Sequence, residues 1–162
     1  MIAHMIGGIG NQMFIYAFAY HLSEKNNEKL KFDLSSFYNK KYNNPEGFVL
    51  DKIFHIDGGN ANKRDLKEVF GFLTPFLRLK HRFNLNFLIK NFVRERHPFF
   101  FDKKLLESAP NKSYLYGFWQ AHQYADLYSI DLRKKFKFKK KFLKIDKNLL
   151  NEINKTNSVS IQ

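Results

Sequence analysis

Gly7-Gly8-Ile9-Gly10-Asn11-Gln12-Met13-Phe14 lies between a short apolar segment, Met1 to Ile6, and a strongly apolar helical run. Three glycines in four positions free the backbone to take positive φ and to approach a bound group where any Cβ would collide. Asn11 and Gln12 then set amide donors and acceptors at the mouth of a helix whose first N–H groups lack partners. The pattern describes a polar, anion-tolerant cradle at a strand-to-helix turn. A plain tight turn accounts for the same glycines with no ligand at all.

Working outward, Met1 to Ile6 reads as a buried strand and the helix runs from about Asn11 or Gln12 to Lys25, where Asn26-Asn27 ends it. Leu30-Lys31-Phe32-Asp33 alternates and suits a second, parallel strand. The resulting strand–helix–strand unit puts the loop Gly7–Gln12 at the carboxyl end of the first strand, where open α/β sheets bind their ligands. The reading requires Asn11 to stand at an open corner, outside a continuous helix.

Further along, Leu34 to Gly59 is turn-rich, with Asn43-Asn44-Pro45-Glu46-Gly47 as the clearest breaker and two short apolar pieces of unassigned type, Phe48 to Leu50 and Ile53 to Ile56. Helical spacing marks Lys63 to Phe72 and Pro75 to Lys90. Phe92 to Glu95 suits a strand, and Phe99 to Asp102 leads into a turn and helix. Tyr114 to Phe118 is the strongest later strand, followed by a helix from Ala121 to Phe136, another from Leu143 to Asn154 and a final strand from Asn157 to Ile161. The fold class is α/β, a single domain with a parallel sheet flanked by helices.

Composition narrows the chemistry. The 162 residues are 44% hydrophobic, enough for one packed core, and 19 Phe with 8 Tyr make that core largely aromatic. With no cysteine there is no disulfide, thiolate metal site or cysteine nucleophile. The six histidines, His4, His21, His55, His81, His97 and His122, show no metal-binding spacing, and no metal is expected. The acids, among them Asp51, Asp57, Asp65, Glu68, Asp102, Asp126 and Asp131, form no readable carboxylate pair, so no catalytic residue is assigned. Neither a secretory leader nor a membrane-spanning run is legible, and a cytoplasmic, soluble protein is expected.

The net charge is +13, much of it in the acid-free run Arg133 to Lys144. That run reads either as a solvated face with Phe136, Phe138 and Phe142 turned inward or as a peripheral contact with an anionic membrane surface. Nucleic acid ranks third, for want of a recognition helix or stacking motif. A dinucleotide cofactor is a partial fit only. Gly8-Ile9-Gly10 and Asp33 match the fingerprint, but Met13 stands where its third glycine belongs. A Walker-type loop fails, because no Lys-Ser or Lys-Thr follows the glycines.

The string GGIGNQMF with Tyr16-Ala17-Phe18-Ala19 behind it resembles the N-terminal signature of the bacterial α-1,2-fucosyltransferases, glycosyltransferase family 11. Tyr114-Leu115-Tyr116-Gly117-Phe118-Trp119-Gln120 is similar to that family's mid-chain segment, and Asn157 to Ile161 to the strand that leads into its His-x-Arg-Arg-x-Asp motif. The resemblance implies a Rossmann-like N-terminal, acceptor-side half (residues 1–162) of a GT-B enzyme. It also implies GDP-fucose as donor substrate, a β-galactoside glycan as acceptor and no cofactor. On it, Gly7, Gly8, Gly10, Asn11 and Gln12 line the crevice between two lobes, Asn11 bonds a sugar hydroxyl or phosphate oxygen, and Trp119 with Gln120 meets the acceptor ring.

The basic motif would begin at Gln162, so the resemblance implies a fragment without the GDP-fucose-binding domain. Such a fragment is expected to be inactive alone and to expose an apolar flank. The rival expectation is a non-catalytic basic module for nucleic acid or an anionic membrane, whose affinity would fall steeply with salt.

Overall fold

In the computed structural model, residues 1–38, 46–71, 91–127, 129–142 and 146–159 are described. Five parallel strands form one sheet: β1 (Ile2–His4), β2 (Lys31–Asp33), β3 (Gly59–Asn60), β4 (Phe92–Arg94) and β5 (Tyr114–Tyr116), in the order β3-β2-β1-β5-β4. Among the described residues, seven α-helices accompany it: α1 (Ile9–Lys25), α2 (Leu50–Ile53), α3 (Lys63–Phe70), α4 (Lys103–Ser108), α5 (His122–Asp126), α6 (Ser129–Lys135) and α7 (Lys147–Lys155). The expected α/β, Rossmann-like architecture is observed.

Alternation along the strands divides the core in two. Ala3, Phe32, Leu115 and Val93 sit in register across one face and pack with α1, whose buried residues include Ile15, Tyr16, Phe18, Ala19 and Leu22. Ile2, Tyr114 and Phe92 share the opposite face and meet Phe70 of α3. Burial on both faces is the usual environment of a parallel sheet and explains why its strands are short and apolar. An Asn62–Asp65 capping box starts α3, and Lys31 of β2 pairs with Asp65, so helix and sheet are tied by charge as well as packing.

Some expectations need correcting. The first helix begins at Ile9, so Asn11 lies inside its first turn and the requirement that it stand outside a continuous helix is not met; the loop is Met5–Gly8 rather than Gly7–Gln12, because Gly8 in extended conformation (φ −69°, ψ 179°) already caps the helix. Asn27, in left-handed conformation at φ 51°, follows its carboxyl end. The helix foreseen from Ala121 to Phe136 is two, α5 and α6. Asn157 to Val159 is neither strand nor helix and is exposed; the rest of that foreseen strand, and the helix foreseen at 75–90, lie outside the described residues. The two-residue β3 had no apolar signal to find.

Candidate functional site

The sheet changes winding direction between β1 and β5, since β2 and β3 lie on one side of β1 and β5 and β4 on the other. In open α/β sheets the crevice beyond the carboxyl ends at such a point is where ligands bind. Here the segments leaving the two strands at that point, Met5–Gly8 after β1 and Gly117–Gln120 after β5, are joined by a hydrogen bond between Asn11 and Gln120.

Gly7 takes φ +81°, and a Cβ there would collide with the Asn11 side-chain amide folded back over it. Its glycine is demanded by the chain itself. Gly8 and Gly10 differ: both are exposed, neither has positive φ, and a Cβ on either would meet nothing within 4 Å. In the first turn of α1 the backbone N–H groups of Ile9, Gly10 and Asn11 have no acceptor within the helix, and Gly8 and Gly10 leave open space where a Cβ would stand. No acidic side chain in that turn competes for them.

Asn11 and Gln12 have separate tasks. Gln12 is fully buried, donates to the carbonyls of Gly7 (2.8 Å) and Gly47 (3.0 Å) and accepts the Val49 N–H (3.1 Å). It staples the loop after β1 to the segment before α2 and has no free polar atom for a ligand. Asn11 is half-buried and accepts a 2.6 Å hydrogen bond from the Gln120 amide, which brings together two of the residues expected at the site.

Trp119 is a wall rather than an exposed platform. Its ring lies flat on Phe18 with centroids 3.9 Å apart, meets Tyr124 edge-on, and is fully buried, while its indole N–H has no partner among the described residues. Its backbone is left-handed at φ 55°, a costly conformation for a bulky residue that the surroundings must hold. Glu95, one residue beyond β4, supplies that hold: its two carboxylate oxygens accept the N–H groups of Phe118 (2.7 Å) and Trp119 (2.9 Å). Burial pushes the Glu95 carboxyl above its usual range, with those two N–H groups pulling the other way.

Glu95 belongs to two adjoining clefts. One, of about 220 Å³, is lined by His4, Ile6, Arg94, Tyr116 and Phe118. The other, of about 490 Å³, lies between the β4–α4 loop and the Trp119–Tyr124 wall. No sequence signal singled out Glu95, because its role depends on an amide pair more than twenty residues away.

Behind the crevice sits a buried polar knot. His4 Nε2 lies 2.8 Å from Ser36 Oγ, while His4 Nδ1 lies 3.1 Å from the Tyr114 hydroxyl and 3.4 Å from Asp33. The Tyr114 hydroxyl also donates to Asp33, and the Asp33 carboxylate accepts the Ser35 N–H. The order hydroxyl–imidazole–carboxylate invites comparison with a nucleophilic triad, but Ser36 is 4% exposed and lines neither cleft. The knot ties the carboxyl ends of β1 and β2 to Tyr114, the first residue of β5.

In the basic run, Phe136 packs against Tyr16 and Phe54, and Phe138 against Phe54 although half exposed. Lys135 pairs with Asp57 and Lys134 with Asp131. No helix among the described residues is long and apolar enough to cross a membrane.

With this geometry in place, the chain is found 34% identical over 167 residues to an alpha-1,2-colitosyltransferase of Escherichia coli, an alignment covering 99% of this chain and 52% of that protein. The similarity supports a glycosyltransferase family. The chain spans about half the length of that relative. No family model matches the chain, and no solved structure does.

Proposed function

We propose that residues 1–162 are the acceptor-side Rossmann-like lobe of a two-lobed α-1,2-glycosyltransferase of the family 11 type, transferring fucose from GDP-fucose to the 2-hydroxyl of a β-galactoside with inversion. The single observation that supports it most is the 34% identity extending over 99% of the chain. Asn11 lies inside the first turn of α1 and not outside a continuous helix, so its position adds no support; its hydrogen bond from Gln120 joins the exits of β1 and β5.

In that reaction the acceptor 2-hydroxyl attacks the anomeric carbon, the bond from that carbon to the pyrophosphate oxygen breaks on the opposite face, and the hydroxyl proton passes to a base. The exposed N–H groups in the first turn of α1 face an anionic or hydroxyl oxygen, and Gly8 and Gly10 leave room for it to come close. Asn11, latched by Gln120, holds its amide toward the same oxygen. Gln12, proposed from the resemblance as a ligand contact, acts instead by fixing the loop. Trp119 bounds the acceptor side as a buried wall.

The relative's name carries a colitosyl group, so donor choice is the open arm of the test. The run Arg133–Lys144 suits contact with an anionic inner membrane face, where an enzyme of glycan assembly would work.

The experiment exchanges residues 1–162 for the matching half of the Escherichia coli relative and supplies GDP-fucose or GDP-colitose with lactose. An α-1,2-linked trisaccharide is expected from the chimera, and background turnover from the 162 residues alone. A folded chimera that yields no product with either donor overturns the proposal.

A further inference from the structure

The larger cleft asks for an occupant of its own. Its walls are Trp119, Tyr124 and Phe101, and Phe100 stands at its mouth 73% exposed. Next to it Phe99 is 71% exposed and held at φ 72°, so two consecutive aromatic rings are kept in solvent by a strained backbone instead of joining a core that takes nearly every other ring nearby. Aromatic faces of this kind pack against the apolar C–H face of a pyranose while leaving its hydroxyls free for polar groups.

The polar groups of the cleft carry a sign. Glu95 already receives two backbone N–H groups, and Asp102 receives that of Leu105 as the cap of α4. Lys103 reaches Glu107 at 3.7 Å. Arg96 and Lys104, by contrast, make no hydrogen bond or ion pair among the described residues. The two carboxylates are turned to backbone amides, and the two cations have no partner among the described residues, which leaves the rim able to bind an anion. Inside, the Trp119 indole N–H is buried without an acceptor among the described residues, an uncommon state for that group.

We infer that the β4–α4 cleft is a glycan subsite for a galactoside that carries a negative charge, as a carboxylate or a phosphate. The sugar ring lies on Phe100 and Phe101, and its anionic substituent meets Arg96 and Lys104. A volume of about 490 Å³ accommodates more than one sugar ring and falls within the usual range of small-molecule sites. The inference rests on the reading of the crevice as an acceptor side, and it adds the acceptor's charge.

Trp119 is the chain's single tryptophan and lines this cleft, so its fluorescence responds to what fills it. The protein is titrated with lactose, 3′-sialyllactose and lactose 6′-phosphate at low and high salt. The charged sugars are expected to saturate at about tenfold lower concentration than lactose, with that advantage shrinking as salt rises. The tighter of the two names the source of the charge. The double variant Arg96→Gln with Lys104→Gln, both exposed and checked by thermal melting, is expected to lose the advantage while keeping lactose binding. Phe100→Ala is expected to weaken all three. Equal affinity for the three sugars, or an advantage that survives the double variant, overturns the subsite while chimera turnover still stands. Saturable charged-sugar binding without chimera turnover overturns the transferase reading and keeps the subsite.

Discussion

The Gln120 amide donates to the Asn11 side-chain oxygen at 2.6 Å, latching the exit of β5 to the first turn of α1 across the point where the sheet reverses its winding. The two residues are 109 positions apart in the chain. Replacing Gln120 by Ala frees Asn11 to rotate without removing it. Chimera turnover is expected to fall roughly tenfold, the equivalent of one such hydrogen bond, with thermal melting nearly unchanged. A drop in melting point that tracks the lost activity would mean the latch serves the fold and not the site.

Glycine substitutions separate chain demands from ligand demands. Gly7→Ala places a Cβ at φ +81° against Asn11 and is expected to destabilise by more than about 1 kcal/mol. Gly10→Ala, with open space and helical φ, is expected to leave stability unchanged or raise it by up to about 1 kcal/mol. Turnover of the chimera is nonetheless expected to fall in Gly10→Ala. Unaltered turnover there would show that nothing approaches the first turn closely.

Tyr114→Phe removes the hydroxyl that donates to Asp33 in the buried knot. Burial, with Asp33 beside it, keeps that phenol protonated well above its ordinary range, so it donates at all working pH values. A loss of about 1–3 kcal/mol in urea denaturation is expected from leaving the carboxylate short of a donor.

Glu95 makes stability depend on pH. Burial raises its folded pKa above the usual 4.5, so between those two values the folded chain holds a proton that the unfolded chain has released. The stabilisation from protonated Glu95 is complete below 4.5 and is lost as pH rises through the folded value. Glu95→Gln is expected to flatten that part of the profile and to lower overall stability by about 1–3 kcal/mol, because an amide offers one acceptor to the two N–H groups of Phe118 and Trp119. Denaturation midpoints at a series of pH values on both proteins check this.

Local patterns carried much of the fold. β1, α1 and β2 were legible because each is an unbroken apolar or alternating run with its own terminators, and β5 because Tyr114-Leu115-Tyr116 stands between turn signals. Gly8 obscured the helix start, since an extended glycine cap lets Ile9, Gly10 and Asn11 coil in spite of a glycine's poor propensity. β3 escaped notice because Gly59 and Asn60 are held by backbone pairing to β2 and bury nothing. At the site, Asn11, Gln120 and the glycines were legible as a motif. The structural task of Gln12 and the clamp by Glu95 were not, as both depend on backbone groups that only the folded chain brings near.

The central strand also sets an order of events in synthesis. Ile2 pairs with Lys31 on one side and with Tyr114 on the other, so the first strand made is flanked on its second side only after most of the chain has left the ribosome. Until then β1 presents an unpaired apolar edge, a state open to strand exchange between nascent copies, and closing it requires a contact of very high sequence separation. Chaperone capture of chains arrested before Tyr114, and its release once β5 is made, would be the cellular trace of that delay.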